Sequence, residues 1–159
     1  MAKTYVQQEV TTVELRDLAT LARQEESEFF VRNPHLSEPY RDRLIAAALC
    51  QGAALQFMGC GYGVADFDIH FFYRQNPSKP RLCRAVKRIT ANVGNFKHAP
   101  IDFVRTVVPS SLCGSYEGDA EPLLRAFLHQ KPTSNAKYLS QKAVVGLIPE
   151  ALFGRIIWG

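Results

Sequence analysis

The chain has 159 residues, of which 47% are hydrophobic and 21% charged, and its net charge is +4. These values are ordinary for a globular protein, and the length favours a single domain over residues 1–159 with a substantial core. No run of about 18 apolar residues occurs, which excludes a membrane-spanning helix.

The N-terminal residues and the cysteines predict an intracellular protein. Residues 1–9 lack the apolar core of a signal peptide, so we expect a cytoplasmic location. The 4 cysteines are widely spaced and include no Cys-x-x-Cys pair, which argues against a structural zinc site and a disulfide framework. We expect reduced and mostly buried thiols at Cys50, Cys60, Cys83 and Cys113.

The N-terminal part of the chain predicts a long helix. Thr12 offers an N-cap, and residues 13–32 carry apolar side chains at helical spacing. Asn33-Pro34 ends this helix, because the residue before a proline disfavours helical backbone. We expect the segment 12–36 to form a helical extension of the domain.

A second helix and a first strand are predicted next. Ser37 can cap a helix, and Pro39 suits its first turn, where the missing N–H costs nothing. We expect this helix over residues 40–55, with an alanine-rich side that allows close packing on a sheet. Residues 54–58 are expected to form the first strand, which ends at Gly59.

A glycine-rich turn then runs into a strand with two acidic residues. Asp66, Asp68 and His70 alternate with Phe67, Ile69 and Phe71, and side chains on a strand alternate between faces. One face is therefore apolar, and the other carries both carboxylates about 7 Å apart at the backbone. Such a pair can bind one divalent cation. The alternative is that both residues flank a turn and face water.

The region after this strand is rich in basic residues. We expect a third helix over residues 79–92, followed by a strand over residues 99–108 that carries Asp102. Basic residues concentrated in this way attract phosphates, although a solvated helix face is the alternative. The basic residues are Arg74, Lys79, Arg81, Arg84, Lys87, Arg88, Lys97 and Arg105.

The C-terminal part predicts one helix and two strands. Asp119 can cap a helix that runs to about Gln130, and strands are expected over residues 143–148 and 154–158. Helices thus alternate with strands along the chain. This order predicts an α/β or α+β fold, with a mixed β-sheet flanked by helices.

The order of these motifs resembles the nucleotidyltransferase fold of the DNA polymerase beta superfamily. In that family a Gly-Ser pair ends the first strand and contacts the phosphates, and Gly59-Cys60 stands in its place. The resemblance covers about residues 38–108. It implies that Asp66, Asp68 and Asp102 form the catalytic site and bind Mg²⁺ or Mn²⁺.

The resemblance implies transfer of a nucleoside monophosphate from a nucleoside triphosphate to an acceptor. It also implies that Arg74 or Arg84 holds the triphosphate. The acceptor, which could be RNA, a protein or a small molecule, and the oligomeric state are left open. Three alternatives remain: a catalytically inactive nucleotide- or RNA-binding module on the same fold, a different Mg²⁺-dependent phosphate enzyme, and a structural partner that docks through its first helix.

Overall fold

The computed structural model describes residues 3–79, 81–82, 86–116 and 118–159. The strands that it contains in these ranges are β1 (Leu44–Cys50), β2 (Phe67–Arg74), β3 (Lys87–Val93), β4 (Phe96–Val108), β5 (Val144–Ile148) and β6 (Ile156–Trp158). The helices are α1 (Thr12–Arg32), α2 (Pro34–Tyr40), α3 (Gln51–Phe57), α4 (Ser110–Cys113), α5 (Ala120–Gln130) and α6 (Ser134–Leu139), with a 3₁₀ turn at Glu150–Leu152.

The strands form one six-stranded mixed sheet in the order β3-β4-β2-β1-β5-β6. The central neighbours β2 and β4 run parallel, and the other neighbouring pairs run antiparallel. Helices cover both faces of this sheet. The predicted class, a mixed sheet flanked by helices, is therefore confirmed.

One face of the sheet packs against α1, α2 and α3. Leu15, Leu18 and Phe29 of α1 are buried there, against Phe71 and other apolar side chains of the sheet. The other face packs against α4, α5 and α6, around Phe127. Because each strand sends alternate side chains to opposite faces, the parity of a residue decides which helical layer it meets.

The first helix was predicted correctly and begins one residue earlier than expected. Thr11 is its N-cap, and a capping box joins the side chain and backbone of Thr11 to Glu14. The helix belongs to the main core, since its buried side packs directly on the sheet. No helix in the described ranges is both long and apolar enough to cross a membrane.

The predicted second helix over residues 40–55 is wrong, and so is the predicted first strand over residues 54–58. Residues 44–50 form β1, and residues 51–57 form α3. Most of β1 is buried between its neighbours β2 and β5 and under helices on both faces. A strand buried in this way has an almost continuous apolar sequence without alternation, which periodicity cannot distinguish from a buried helix.

The predicted third helix over residues 79–92 is also wrong, because residues 87–93 form β3. This strand lies at the edge of the sheet and pairs antiparallel with β4, and its residues alternate between more and less exposed positions. The other predicted strands and the helix after Asp119 are confirmed. Cys50 and Cys113 are buried as expected, Cys60 is exposed, and Cys83 lies outside the described residues.

Candidate metal centre

Three aspartates meet where β2 and β4 run side by side. Asp68 and Asp102 are direct partners in the parallel register of the two strands, so their side chains share one face. Asp66 immediately precedes β2 and has the same parity as Asp68. One carboxylate oxygen from each of the three residues lies within 4.8 Å of the others. The predicted convergence of these carboxylates is therefore confirmed.

This arrangement could hold a divalent metal ion. Oxygens bound to a common Mg²⁺ ion lie about 2.1 Å from it, and therefore about 4 Å or less from one another. The observed spacing of up to 4.8 Å needs only small side-chain rotations to reach that value. Carboxylate oxygens suit Mg²⁺, Ca²⁺ and Mn²⁺, and the spacing does not select among these ions.

The environment of Asp68 disfavours the ionised form of its carboxyl group. Its burial, and the neighbouring charges of Asp66 and Asp102, raise the pKa of Asp68 to about 6. Burial disfavours the charged form because it removes water, and like charges nearby disfavour it further. A bound cation would relieve both effects.

Two basic side chains lie on the acidic cluster. Arg88 forms a fork on Asp102, with Nε–Oδ1 and Nη2–Oδ2 distances of 2.7 and 2.6 Å, and its Nη2 lies 3.2 Å from Asp66 Oδ2. Lys3 Nζ lies 3.3 Å from the same oxygen of Asp66. The register explains the first contact, because Arg88 on β3 is paired with Asp102 on β4.

The two cations are exposed, whereas the carboxylates that they contact are largely buried. The side chains of Arg88 and Lys3 are 55% and 62% exposed, and those of Asp66 and Asp102 are 12% and 14% exposed. Ion pairs made by exposed side chains contribute about 0–1 kcal/mol each, and the two-point contact of Arg88 lies at the upper end of this range. A divalent metal ion can therefore compete with these two side chains for the aspartates.

A small cleft of about 60 Å³ lies beside the aspartates, on the side of β1. Its wall includes Gly52, just after the end of β1, where a Cβ atom would come within 2.8 Å of the Tyr62 ring. Lys142 donates a hydrogen bond to Tyr62 Oη at 2.7 Å and also lines the cleft. Asp66, Asp68 and Lys3 also line the cleft.

Gly59 and Cys60 do not lie where the resemblance implies. They follow a helix, α3, whereas the first strand ends at Cys50. The backbone N–H of Cys60 bonds to the carbonyl of Leu55, and Cys60 is exposed. The residues that follow the first strand are Gln51-Gly52. The predicted end of this strand lies at Gly59 because the sequence pattern favours a helix that includes residues 44–50 and a strand over residues 54–58.

Neither of the two predicted triphosphate-binding arginines is found at the aspartates among the described residues. Arg74 ends β2, six residues beyond Asp68, which corresponds to about 20 Å along a strand. Arg84 lies outside the described residues. The basic residues at the acidic cluster are instead Arg88 and Lys3.

Sequence reasoning missed Lys3, Gly52 and Lys142, and it placed Arg88 on a helix. Lys3 and Lys142 are distant in sequence from the aspartates, and nothing in their local pattern connects them to the site. Gly52 could have been found, because it follows the apolar run 44–50 directly. No family model matches the chain, and no match was found among curated proteins or solved structures.

Proposed function

We propose that the protein is a metal-dependent nucleotidyltransferase, which transfers a nucleoside monophosphate from a nucleoside triphosphate to an acceptor. The observation that carries the proposal is the convergence of Asp66, Asp68 and Asp102 within 4.8 Å, with Asp68 and Asp102 on neighbouring parallel strands and Asp66 immediately before the first of them. Rigid strands hold such ligands more firmly than loops do.

The three carboxylates would bind Mg²⁺ or Mn²⁺, which supplies positive charge to the transferring phosphate and lowers the pKa of the attacking hydroxyl. The acceptor oxygen forms a bond to the α-phosphorus while the bond between the α-phosphorus and the bridging oxygen breaks. Pyrophosphate leaves with that electron pair, and Asp102 accepts the hydroxyl proton. Lys3 and Lys142, which line the cleft beside Asp68, would neutralise the phosphates.

The proposal is tested by incubating the protein with each α-labelled nucleoside triphosphate, Mg²⁺ or Mn²⁺, and a small-molecule and RNA extract as a source of acceptors. We expect metal-dependent release of pyrophosphate together with a labelled product. Asp68→Asn and Asp102→Asn should abolish both, whereas Asp42→Asn should not, because Asp42 is 91% exposed and lies on no part of the cluster. Release of pyrophosphate that is unchanged in Asp68→Asn would contradict the proposal.

One observation favours a second candidate, a catalytically inactive nucleotide-binding module. The fork of Arg88 on Asp102, with distances of 2.6 and 2.7 Å, already neutralises part of the acidic cluster. In that case nucleoside triphosphates bind equally well in EDTA and in Mg²⁺. In the transferase, EDTA should weaken their binding strongly.

A further inference from the structure

A cavity of about 570 Å³ opens beside the acidic cluster and shares Lys3, Ala65 and Asp66 with the small cleft. It lies between the N-terminal segment 3–8, the start of β2 and the hairpin that joins β3 to β4. Its volume falls within the range of about 300–1,000 Å³ that is typical of sites for small organic ligands. The cavity is thus large enough for one such molecule.

The interior of the cavity is apolar and well supported. Val6, Val64, Phe96 and Ala99 line it, and the ring of Phe96 packs edge-on against Phe67 at 5.2 Å between ring centroids. The N-terminal wall is held in place by two backbone hydrogen bonds between Val6 and Val64, each of 2.8 Å. These contacts form a preorganised surface for a flat, weakly polar group.

Polar groups lie at the rim of the cavity. The exposed side-chain amides of Gln8 and Asn95 line it, and an amide offers both a donor and an acceptor to a heterocycle. At the other end the lining includes Asp66, Lys3 and Arg88. The cavity therefore reaches the acidic cluster itself.

We propose that this cavity binds the base and sugar of a nucleoside triphosphate, with its phosphates at Asp66, Asp68 and Asp102. The inference rests on the proposed function and adds the place of the nucleoside, including a wall formed by the N-terminal segment. An apolar cavity with polar side chains in its lining, including the exposed Lys97 and His98, and with two further cations at the acidic cluster, matches the chemistry of a nucleotide: a flat base, a polar edge and an anionic tail.

Arg88 and Lys3 connect the cavity to the phosphates. Both now contact carboxylates, and a metal ion on the aspartates would repel them. Their exposed side chains can then turn to the phosphate oxygens, which Arg binds well through its fork of donors. Without a metal ion, Arg88 and Lys3 contact the carboxylates of the cluster. With a metal ion bound, they contact the phosphates of the nucleotide instead.

The test uses binding to the full-length protein in Mg²⁺ and compares each of the four common nucleoside triphosphates with inorganic tripolyphosphate. Tripolyphosphate contains the anionic tail alone, so the difference in affinity reports the cavity. Val6→Trp fills the cavity from a residue that is 38% exposed, and Val31→Trp is the control at a valine that is 80% exposed on α1. Ala99→Leu is a second filling variant, which narrows the cavity from β4.

We expect at least one nucleoside triphosphate to bind the wild type about tenfold or more tightly than tripolyphosphate, from burial of the base. Val6→Trp and Ala99→Leu should remove that difference and leave tripolyphosphate binding within about twofold, whereas Val31→Trp should change neither. Unchanged nucleotide binding in folded Val6→Trp and Ala99→Leu would overturn the inference. Loss of transfer with unchanged nucleotide binding would overturn it too, because the cavity would then hold the acceptor.

Failure of the proposed function gives a different result. If neither tripolyphosphate nor any nucleoside triphosphate binds the wild type in a metal-dependent way, the proposed transferase function is contradicted. The cavity is then tested separately. Adenosine, guanosine, cytidine and uridine are then titrated in EDTA. Binding that Val6→Trp removes and Val31→Trp retains supports the base site, and absence of nucleoside binding overturns it.

Discussion

Two charged clusters lie on opposite faces of the sheet and have opposite compositions. On one face of the sheet, the single carboxylate of Glu25 lies within 3.3 Å of basic groups from Arg32, Lys87 and Arg105. On the other face, the basic side chains that contact Asp66, Asp68 and Asp102 within the described ranges are Arg88 and Lys3. Arg105 follows Asp102 by three positions on β4, and this odd spacing sends the two side chains to opposite faces.

The two clusters differ in burial as well as in charge. The side chains of Glu25 and Arg105 are only 3% and 1% exposed, and the guanidinium of Arg105 stacks on Phe29 at 3.5 Å. Burial acts to raise the pKa of Glu25, but hydrogen bonds from Arg32 and Arg105 outweigh it and the pKa is lowered. The pKa of Asp68 is raised instead, to about 6.

This contrast distinguishes a structural ion cluster from a candidate binding site. The carboxylate of Glu25 is paired with basic side chains that join α1 to the sheet. The aspartates have an excess of negative charge, and their basic partners among the described residues are exposed. A cluster that is destabilised on its own and partly open to solvent is the kind that a bound cation completes.

The largest expected effect is on stability, at the buried cluster. Glu25→Gln leaves the buried Arg105 without its carboxylate, and an uncompensated buried charge costs about 3–5 kcal/mol. Urea denaturation should show this loss in the free energy of unfolding. The control Glu28→Gln, at a side chain that is 64% exposed, should change it by less than about 0.5 kcal/mol. Equal effects of the two variants would show that the buried pair does not join α1 to the sheet.

A smaller effect of opposite sign is expected at the acidic cluster in EDTA. The pKa of Asp68 rises from 3.8 to about 6 on folding, so stability is lost as the pH rises through this interval. Asp68→Asn removes that loss and should raise the free energy of unfolding by about 1–3 kcal/mol at pH 8. At pH 3.5 most of the gain should disappear, because the aspartate is then mostly protonated in both states.

Asp66→Asn is the matched control for this experiment. Asp66 accepts hydrogen bonds from both Lys3 and Arg88, so its replacement removes these ion pairs, which offsets the relief of its repulsion with Asp68, and it should bring a smaller gain in EDTA than Asp68→Asn. Denaturation curves at both pH values measure the difference. If Asp68→Asn is clearly less stable than the wild type at pH 8, then the carboxylate of Asp68 stabilises the fold through an ion pair or hydrogen bond and is not a metal ligand.

The smallest effect is expected at the exposed cations. Arg88→Met keeps much of the side-chain length and removes the charge that competes with a metal ion for Asp66 and Asp102. We expect Mn²⁺ to bind about three- to tenfold more tightly by calorimetry, which corresponds to about 1 kcal/mol. Arg81→Met, at an exposed basic position near the start of β3, should leave the affinity unchanged. Weaker Mn²⁺ binding in Arg88→Met would mean that Arg88 supports the site.

The acidic cluster could be predicted from the sequence because its parts are local. The spacing of Asp66 and Asp68 and the alternation around them depend only on the period of a strand, and β2 and β4 were recognised by that period. The resemblance implied that Asp102 completes the site, but the parallel pairing of β2 and β4 that places Asp102 beside Asp68 was not predicted. It could not be derived from either strand alone.

The remaining parts of the site depend on the tertiary structure. The run Leu44–Cys50 is alanine-rich, so its composition favours a helix, whereas burial between two strands makes it β1. This error displaced the expected phosphate-contacting turn from Gln51-Gly52 to Gly59-Cys60. The position of Lys3 at Asp66 depends on the bridge between Val6 and Val64, a contact that no local pattern indicates.

The central claim is that Asp66, Asp68 and Asp102 form a divalent-metal site, and a Mn²⁺ titration tests it most directly. The electron paramagnetic resonance signal of free Mn²⁺ falls as the ion binds, so the titration needs neither a nucleotide nor an acceptor. We expect saturable binding to the wild type and to Asp42→Asn, and an affinity about tenfold or more lower for Asp68→Asn and Asp102→Asn. No binding to the wild type, or equal binding to all four proteins, would contradict the claim.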